Sequence, residues 1–438
     1  APLTTLRLYA VDEIQYFAYL RSAVLDHDLD FTNEYSWFVG RDPIEYRSLS
    51  EAFLVARTPA GRPPNNAPIG SAVLWSALYV PTVAIEALLG RGSSPPGYSP
   101  MDITAVCVAS MLYGVLGLFL TYEACRDFVS TRSAFWGTVI VWLGSNLCFY
   151  MYVTPPMSHA NSFFASALLL YAWLRAKEGP KSALTIGVLG GLLASVRWQD
   201  ALFMLTPLSA PLFRGTVGER RGIRRWLSWS LLMAVGFALV FGFQLIVWWR
   251  LNGSLTPFGV MSVHGRFSPA APYFFGVLFS PFHGLFVWTP VLVPAFVGLA
   301  MLAAGDARGR AIAIGVVAQI YLLSGYVVAF GHGFGQRLFV SSLPAAAIGL
   351  AVFVDRVVPR LPRGLPAVGA VFAVWWNLSL MVQHGIGLIP RNEGVSLGTL
   401  VRNQIVEVPQ RLPTVLERYL LRRESFYKVD PLRRPVQE

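Results

Sequence analysis

The chain has 438 residues, of which 54% are hydrophobic and only 13% are charged. That charged share is about half of the usual value for soluble domains, so composition excludes a disordered chain, a coiled coil and an ordinary soluble enzyme. The excess of 35 Lys and Arg over 24 Asp and Glu would suggest nucleic-acid binding in a soluble protein. Here it fits basic loops beside a membrane. We therefore expect an all-α polytopic membrane protein in contact with membrane lipids and with no nucleic-acid partner.

The first predicted element in chain order is an amphipathic helix over residues 12–26, whose acidic start suits a helix N-terminus. An apolar run at 69–90 is the second. Both precede the main group of apolar runs.

Eight further apolar runs come close to the roughly 20 residues that a helix needs to cross a bilayer. They are 102–123, 134–153, 159–175, 226–249, 284–303, 311–330, 338–357 and 366–384. The segment 183–213 is interrupted at 197–200 by RWQD, which predicts two short helices, 183–196 and 199–213, with a polar turn between them. The run 397–421 is predicted to be an interfacial helix that is broken at Pro409 and Pro413.

Lys and Arg are distributed unequally between alternate connections. One set carries fifteen of them (124–133, 175–182, 214–225, 304–310 and 355–364), and the other carries four (154–158, 197–200, 250–283 and 331–337). Because cytoplasmic loops are enriched in Lys and Arg, we predict that the first set is cytoplasmic and the second faces outward. Helix 69–90 then cannot cross once, and we expect it to lie along the interface or to enter and return. The alternative is a true crossing with one basic connection on the wrong side.

This topology predicts three regions. Residues 1–101 form an external first segment with juxtamembrane helices, residues 102–384 form a transmembrane bundle with an outer loop at 250–283, and residues 385–438 form an outer tail.

Costly polar residues collect on the predicted outer face, which makes them functional candidates. Asp12 and Glu13 are the candidate catalytic residues, because a carboxylate can take a proton from an attacking hydroxyl. Only one of the two is expected to face a site, since successive helical residues point about 100° apart. The guanidinium group of arginine binds phosphate through two parallel N–H groups. A carboxylate beside two outward-facing arginines therefore favours a phosphate-linked substrate. The candidate substrate-binding residues are Arg197, Arg337, His159, Asn66, His264 and Gln336.

Structural alternatives stay open for these residues. Arg197 could satisfy carbonyl groups, Arg337 could anchor the chain at the interface, Asp12 could cap a helix, and the histidines could be hydrogen-bonded structural residues. Carboxylates and histidines on one face are also able to bind a divalent metal ion, although no spacing demands one.

Several segments resemble the GT-C glycosyltransferases, which include the protein O-mannosyltransferases, the lipid A aminoarabinose transferases and bacterial family 39-like members. Residues 11–17 (VDEIQYF) resemble the acidic signature of their first outer loop, and 66–75 (NAPIGSAVLW) resembles a stretch that leads a juxtamembrane helix. Further likenesses lie at 195–200, 278–290 and 334–337. Ala67 and Asn66 depart from the basic and acidic residues usual at their positions, and His159 stands where relatives have a second acidic site.

The resemblance implies a GT-C-like helix bundle with outer juxtamembrane helices in a bacterial inner membrane. It implies transfer of a sugar, with inversion, from a polyprenyl-phosphate donor to a hydroxyl of a glycan, lipid or protein on the periplasmic face. Asp12 would then be the base, and Arg197 and Arg337 would hold the phosphate. The alternatives are a transporter or flippase for lipid-linked saccharides, a structural membrane subunit, and a ligase or polymerase that uses a diphosphate-linked oligosaccharide.

Overall fold

The computed structural model describes residues 6–213, 220–257, 268, 270, 272–326, 333–390 and 393–422. The described residues form helices joined by turns and short connections, as the all-α prediction requires. The α-helices are α1 (Val11–Arg21), α2 (Thr32–Arg41), α3 (Arg47–Leu49), α4 (Gly70–Leu88), α5 (Pro100–Cys125), α6 (Thr131–Leu143), α7 (Leu147–Tyr152), α8 (His159–Leu174), α9 (Pro180–Val196), α10 (Leu205–Phe213), α11 (Arg220–Asn252), α12 (Phe274–Phe279), α13 (Leu285–Trp288), α14 (Leu292–Gly305), α15 (Ala307–Gly325), α16 (Leu343–Arg356), α17 (Leu365–Gly385), α18 (Leu397–Arg402) and α19 (Val408–Leu421). Turns of 3₁₀ or π helix lie at Ser22–Asp26, Ser50–Leu54, Trp198–Met204, Arg337–Ser342, Val358–Arg360 and Asn403–Glu407.

Within the described residues, five helical segments are long and apolar enough to cross a membrane. They are Gly70–Leu88, Pro100–Cys125, Gly222–Asn252, Arg337–Arg360 and Leu365–Gly385. Two shorter apolar helices, Pro180–Val196 and Leu292–Gly305, accompany them. These helices make the chain an integral membrane protein.

Two of the predicted apolar runs are broken rather than continuous. The run 134–153 ends its first helix at Gly144 and resumes as α7. The run 284–303 is divided between α13 and α14, because Thr289 precedes Pro290 and takes a non-helical conformation (φ −135°, ψ 68°). By contrast, the predicted break within 183–213 is present: Arg197 ends α9 in an extended conformation, and a 3₁₀ segment leads into α10.

The hydrophobic side chains form two cores. The first core joins α1, α2 and α4 to the beginning of α5 and the end of α11, and includes Phe17, Trp75, Tyr79, Val106 and Leu251. The bundle core joins α6 to α10 with α14 to α17, and includes Phe163, Leu193, Leu299 and Ile348. The described residues 6–101 therefore build their core together with two helices of the bundle.

Helix α4 packs along α5 from its N-terminal end as far as Tyr113, whose OH donates to the Leu74 carbonyl oxygen at 3.1 Å. Trp75 Nε1 donates to Ser110 Oγ at 2.7 Å, and at the far end Ser99 Oγ donates to Glu86 at 2.5 Å. The second half of α5 instead packs on α8, where Gly117 lies against Phe163. Helix α4 thus lies beside the first part of α5, and α8 lies beside the later part. That 69–90 does not cross the membrane stays a prediction, since its length and composition would allow it to cross.

Two predicted helices differ from expectation. Helix α1 is not amphipathic, because every residue from Glu13 to Arg21 is buried, so α1 lies inside the first core rather than on a surface. Pro409 and Pro413 do not break the run 397–421: Pro409 occupies the first turn of α19, where its missing N–H is harmless, and Pro413 lies inside the same helix. A π turn at Asn403–Glu407 joins α18 to α19.

Candidate active site

A cavity of about 160 Å³ lies where the first core meets the bundle. Its wall is formed by α1, the connection before α4, the beginning of α8, the break after α9 and the 3₁₀ turn before α16. The lining residues are Asp12, Gln15, Tyr16, Asn66, Ala67, Pro68, Met157, His159, Arg197, Trp198, Gln199, Arg337 and Leu338. The cavity therefore brings together five of the predicted site residues from distant parts of the chain: Asp12, Asn66, His159, Arg197 and Arg337.

Asp12 and Arg337 form an ion pair across this cavity. Asp12 Oδ2 lies 3.1 Å from Arg337 Nη1, and the two side chains are 48% and 24% exposed. Helix α1 places Asp12 at its N-terminal turn, and the 3₁₀ turn after the glycine-rich segment Gly333–Gly335 places Arg337. A guanidinium has five N–H donors, so the single bond to Asp12 leaves Arg337 able to bind a second anion.

Arg197 lies at the break after α9 and is held from several sides. Its Nη1 donates to His159 Nδ1 at 2.8 Å and to Ser158 Oγ at 3.4 Å. The side-chain amide of Gln199 is oriented with its oxygen toward Arg197, and this oxygen accepts from Arg197 Nε at 3.2 Å and from Nη2 at 2.6 Å. Asp200 lies 4.0 Å from Arg197 Nε. These contacts fix the guanidinium at the cavity wall before any ligand binds.

The bond from Arg197 also decides the protonation of His159. An arginine can only donate, so His159 Nδ1 must accept and the ring proton lies on Nε2. His159 is buried at the beginning of α8, and its Nε2 has no partner among the described residues. His159 therefore faces the cavity as a hydrogen-bond donor, and its basic nitrogen is already occupied.

Glu13 is fully buried and is not among the residues that line the cavity. Its Oε2 accepts from the backbone N–H groups of Tyr9 and Ala10 at 2.9 and 3.0 Å, which caps the beginning of α1. Burial raises the pKa of Glu13 to about 7, against the opposing effect of these two backbone bonds. The structure thus places the Glu13 carboxylate at the cap of its own helix and not among the residues that line the cavity.

Two other predicted residues are not among those that line the cavity. Gln336 precedes Arg337 but is buried outside the lining set, so the structure does not support it as a substrate-binding residue. His264 lies outside the described residues.

Asp200, the last residue of the RWQD segment, is buried between helices. It accepts from Ser162 Oγ at 2.6 Å and from Ser341 Oγ at 2.8 Å, and so ties the break after α9 to α8 and to the turn before α16.

Sequence reasoning missed four polar residues at the site: Gln15, Tyr16, Ser158 and Gln199. The first two share a helix face with Asp12, at spacings of three and four, which is a signal that the sequence contained. Tyr16 OH donates to Ser158 Oγ at 2.9 Å and so links α1 to the beginning of α8.

A metal site is not apparent in the described part of the chain, where no group of three or more His, Cys, Asp or Glu side chains could hold a metal ion. In the acidic segment after α1, the carboxylates of Asp28 and Asp30 accept hydrogen bonds from neighbouring hydroxyl groups and stabilise a turn. Asp28 Oδ1 accepts from Ser22 Oγ at 2.7 Å, and Asp30 Oδ1 accepts from Thr32 Oγ1 at 2.6 Å.

Solved structures share this fold. No protein-family model matches the sequence, and no curated protein sequence matches it. The crystal structure of ArnT from Cupriavidus metallidurans bound to undecaprenyl phosphate superposes with a TM-score of 0.50 at 13% identity, over 97% of this chain and 75% of that one. The apo structure of the same protein gives 0.50 at 13% identity, over 96% and 72%. The chain therefore has the all-helical membrane fold that these two structures display.

Proposed function

We propose that this protein is a membrane glycosyltransferase that moves a sugar from a polyprenyl-phosphate donor to a hydroxyl acceptor on the outer face of a bacterial inner membrane. The observation that carries this proposal is the cavity whose wall contains one carboxylate, Asp12, and two arginines, Arg197 and Arg337. The structural neighbour bound to undecaprenyl phosphate supports a carrier lipid of this chemistry.

The arginines supply the phosphate site. Arg337 has donors to spare beyond its bond to Asp12, and Arg197 is held at the wall by His159 and Gln199. His159 Nε2–H is a third donor for the same anion. Charge on the leaving phosphate grows as the glycosidic bond breaks, and donors fixed in advance stabilise that charge without having to reorganise.

Asp12 supplies the base. The acceptor oxygen attacks the anomeric carbon, its proton passes to the Asp12 carboxylate, and the bond from the anomeric carbon to the phosphate oxygen breaks, which releases polyprenyl phosphate. A single displacement inverts the anomeric configuration. His159 cannot replace Asp12 in this step, because its Nδ1 accepts from Arg197 and its Nε2 carries the proton.

The charge of the cavity favours a monophosphate donor over a diphosphate. Among its described lining residues, Arg197 and Arg337 are the cations, and Asp12 neutralises one of them. A diphosphate would bring more negative charge than this wall can balance.

The test is turnover by purified protein in liposomes. We expect labelled sugar to leave its undecaprenyl-phosphate carrier and to join acceptors from a membrane extract, and we expect Asp12→Asn protein to show no comparable transfer. A labelled lipid that changes leaflet with its sugar still attached would instead indicate a flippase and contradict the proposal.

A further inference from the structure

Two uncharged side-chain amides, those of Gln15 and Asn66, form one part of the cavity wall. Gln15 Oε1 accepts from the backbone N–H of Asn66 at 3.2 Å, which fixes the orientation of the Gln15 amide. Asn65 bonds to the same two segments, since its Nδ2 donates to the backbone carbonyl oxygen of Gln15 at 2.9 Å and its Oδ1 accepts from the backbone N–H of Ala67 at 2.9 Å. These bonds join α1 to the connection before α4 and orient both segments at the wall.

The same two amides each have one buried polar atom left over. Gln15 Nε2, a donor, and Asn66 Oδ1, an acceptor, are buried and have no hydrogen-bond partner among the described residues. Buried polar atoms are normally paired, because leaving one unpaired costs free energy. A hydroxyl group can donate and accept at once, so neighbouring hydroxyls of a sugar match this donor and acceptor.

The charges of the cavity point to the same class of ligand. Asp12 is the only carboxylate among the described lining residues, and Arg337 already pairs with it. A sugar that carried an ammonium group would therefore find no free carboxylate there, and Arg197 would repel it.

We propose that Gln15 and Asn66 bind hydroxyl groups of the transferred sugar, and that this sugar is uncharged. The inference rests on the proposed function and adds the chemistry of the sugar to it. Gln15 and Asn66 bind the donor's sugar, whereas Arg197 and Arg337 bind its phosphate, so the two pairs of residues have separable effects.

The experiment measures the affinity of the purified full chain for bare undecaprenyl phosphate and for the same lipid carrying glucose, mannose, galactose, arabinose or an amino sugar. The variants are Gln15→Met and Asn66→Ala, and Gln410→Met is the matched control, because Gln410 is exposed on α19. Asn66→Ala keeps the backbone N–H of residue 66, which donates to Gln15. It therefore tests sugar binding even if Gln15→Met perturbs the connection before α4. Unfolding midpoints check that each variant is folded.

We expect at least one uncharged sugar to tighten binding over the bare carrier in wild-type protein. In Gln15→Met or Asn66→Ala that gain should fall roughly 10-fold, the effect of losing one hydrogen bond in a buried site, while affinity for the bare carrier stays the same. An undiminished gain in both variants, a preference for the amino sugar, or no gain for any uncharged sugar overturns the inference. Failure of the proposed function looks different: the wild-type chain would not bind bare carrier, or Arg197→Ala and Arg337→Ala would bind it normally.

Discussion

His159 Nδ1 accepts a hydrogen bond from Arg197 Nη1 at 2.8 Å, although the two residues are 38 positions apart in the chain. The bond makes the histidine a donor toward the cavity and holds the arginine in place. His159 thus contributes to the site twice, once through each ring nitrogen.

This double role predicts different effects for two substitutions of His159. Asn places an oxygen where His has Nδ1, so His159→Asn keeps the acceptor for Arg197 and removes only the Nε2–H donor. We expect it to weaken undecaprenyl-phosphate binding by about 10-fold or less. His159→Ala frees Arg197 as well and should weaken binding further. Equal dissociation constants for the two variants would show that the bond to Arg197 does not position the phosphate site.

Asp12→Asn should abolish most turnover while donor binding persists. Asn keeps the size of the side chain and removes the base, and loss of a general base costs roughly 10²- to 10⁴-fold in rate. The measurement is single-turnover transfer from labelled donor, with donor affinity determined in parallel. Glu13→Gln is the matched control, because the adjacent Glu13 caps α1 and does not line the cavity. Near-normal transfer by Asp12→Asn protein would remove Asp12 as the base.

Arg197→Ala and Arg337→Ala should each weaken donor binding more than they reduce stability. Both guanidinium groups lie on the cavity wall, and each would contribute charge-assisted hydrogen bonds to one phosphate. Affinity for undecaprenyl phosphate and the unfolding midpoint, measured on the same preparations, separate the two effects. The companion variants Arg197→Lys and Arg337→Lys should recover part of the affinity, because Lys keeps the charge but loses the fork. Unchanged affinity in both Ala variants would contradict the phosphate assignment.

Glu13 should make stability depend on pH in a defined window. Burial raises its pKa from 4.5 to about 7, so between these values the folded chain keeps a proton that the unfolded chain releases. The stability that protonated Glu13 provides is therefore lost as the pH rises from about 4.5 to about 7, by up to about 3 kcal/mol.

Glu13→Gln tests this directly, because Gln can still accept the two capping bonds and does not titrate. We expect the difference in unfolding midpoint between pH 5 and pH 8 to be smaller in Glu13→Gln than in wild-type protein. Glu34, whose pKa burial raises to about 8, should leave some pH dependence in both proteins. Parallel pH profiles for the two proteins would mean that Glu13 is ionised throughout.

Helix 69–90 should have both ends on the outer side. Single cysteines at the exposed positions Ala60 and Ser94 flank it, and the three native cysteines are buried, so background labelling should be low. A membrane-impermeant thiol reagent should label both sites in intact cells and should fail to label Lys181→Cys, in a predicted cytoplasmic connection. Labelling of only one of the two flanking positions would establish a crossing.

The sequence by itself was enough for the class of protein and for five of the residues that line the cavity. Low charge and long apolar runs predict a helical membrane protein because a bilayer admits few other backbones. The RWQD segment predicted the break after α9, since four polar or interfacial residues inside an apolar run are costly at membrane depth. The asymmetry of Lys and Arg grouped Asp12, Asn66, His159, Arg197 and Arg337 on one face, and the cavity contains all five.

Only the tertiary structure decided what each of these residues touches. Asp12 and Arg337 are 325 positions apart, and no local pattern encodes their ion pair. Glu13 and Gln336 are each adjacent in sequence to a cavity residue, yet they are buried elsewhere, whereas Gln15 and Gln199 reach the wall. The physical reason is that periodicity and composition depend on nearby residues and on the solvent, while side-chain pairing depends on how distant helices pack. That packing also fixed the proton on His159, because the nitrogen that faces Arg197 must accept.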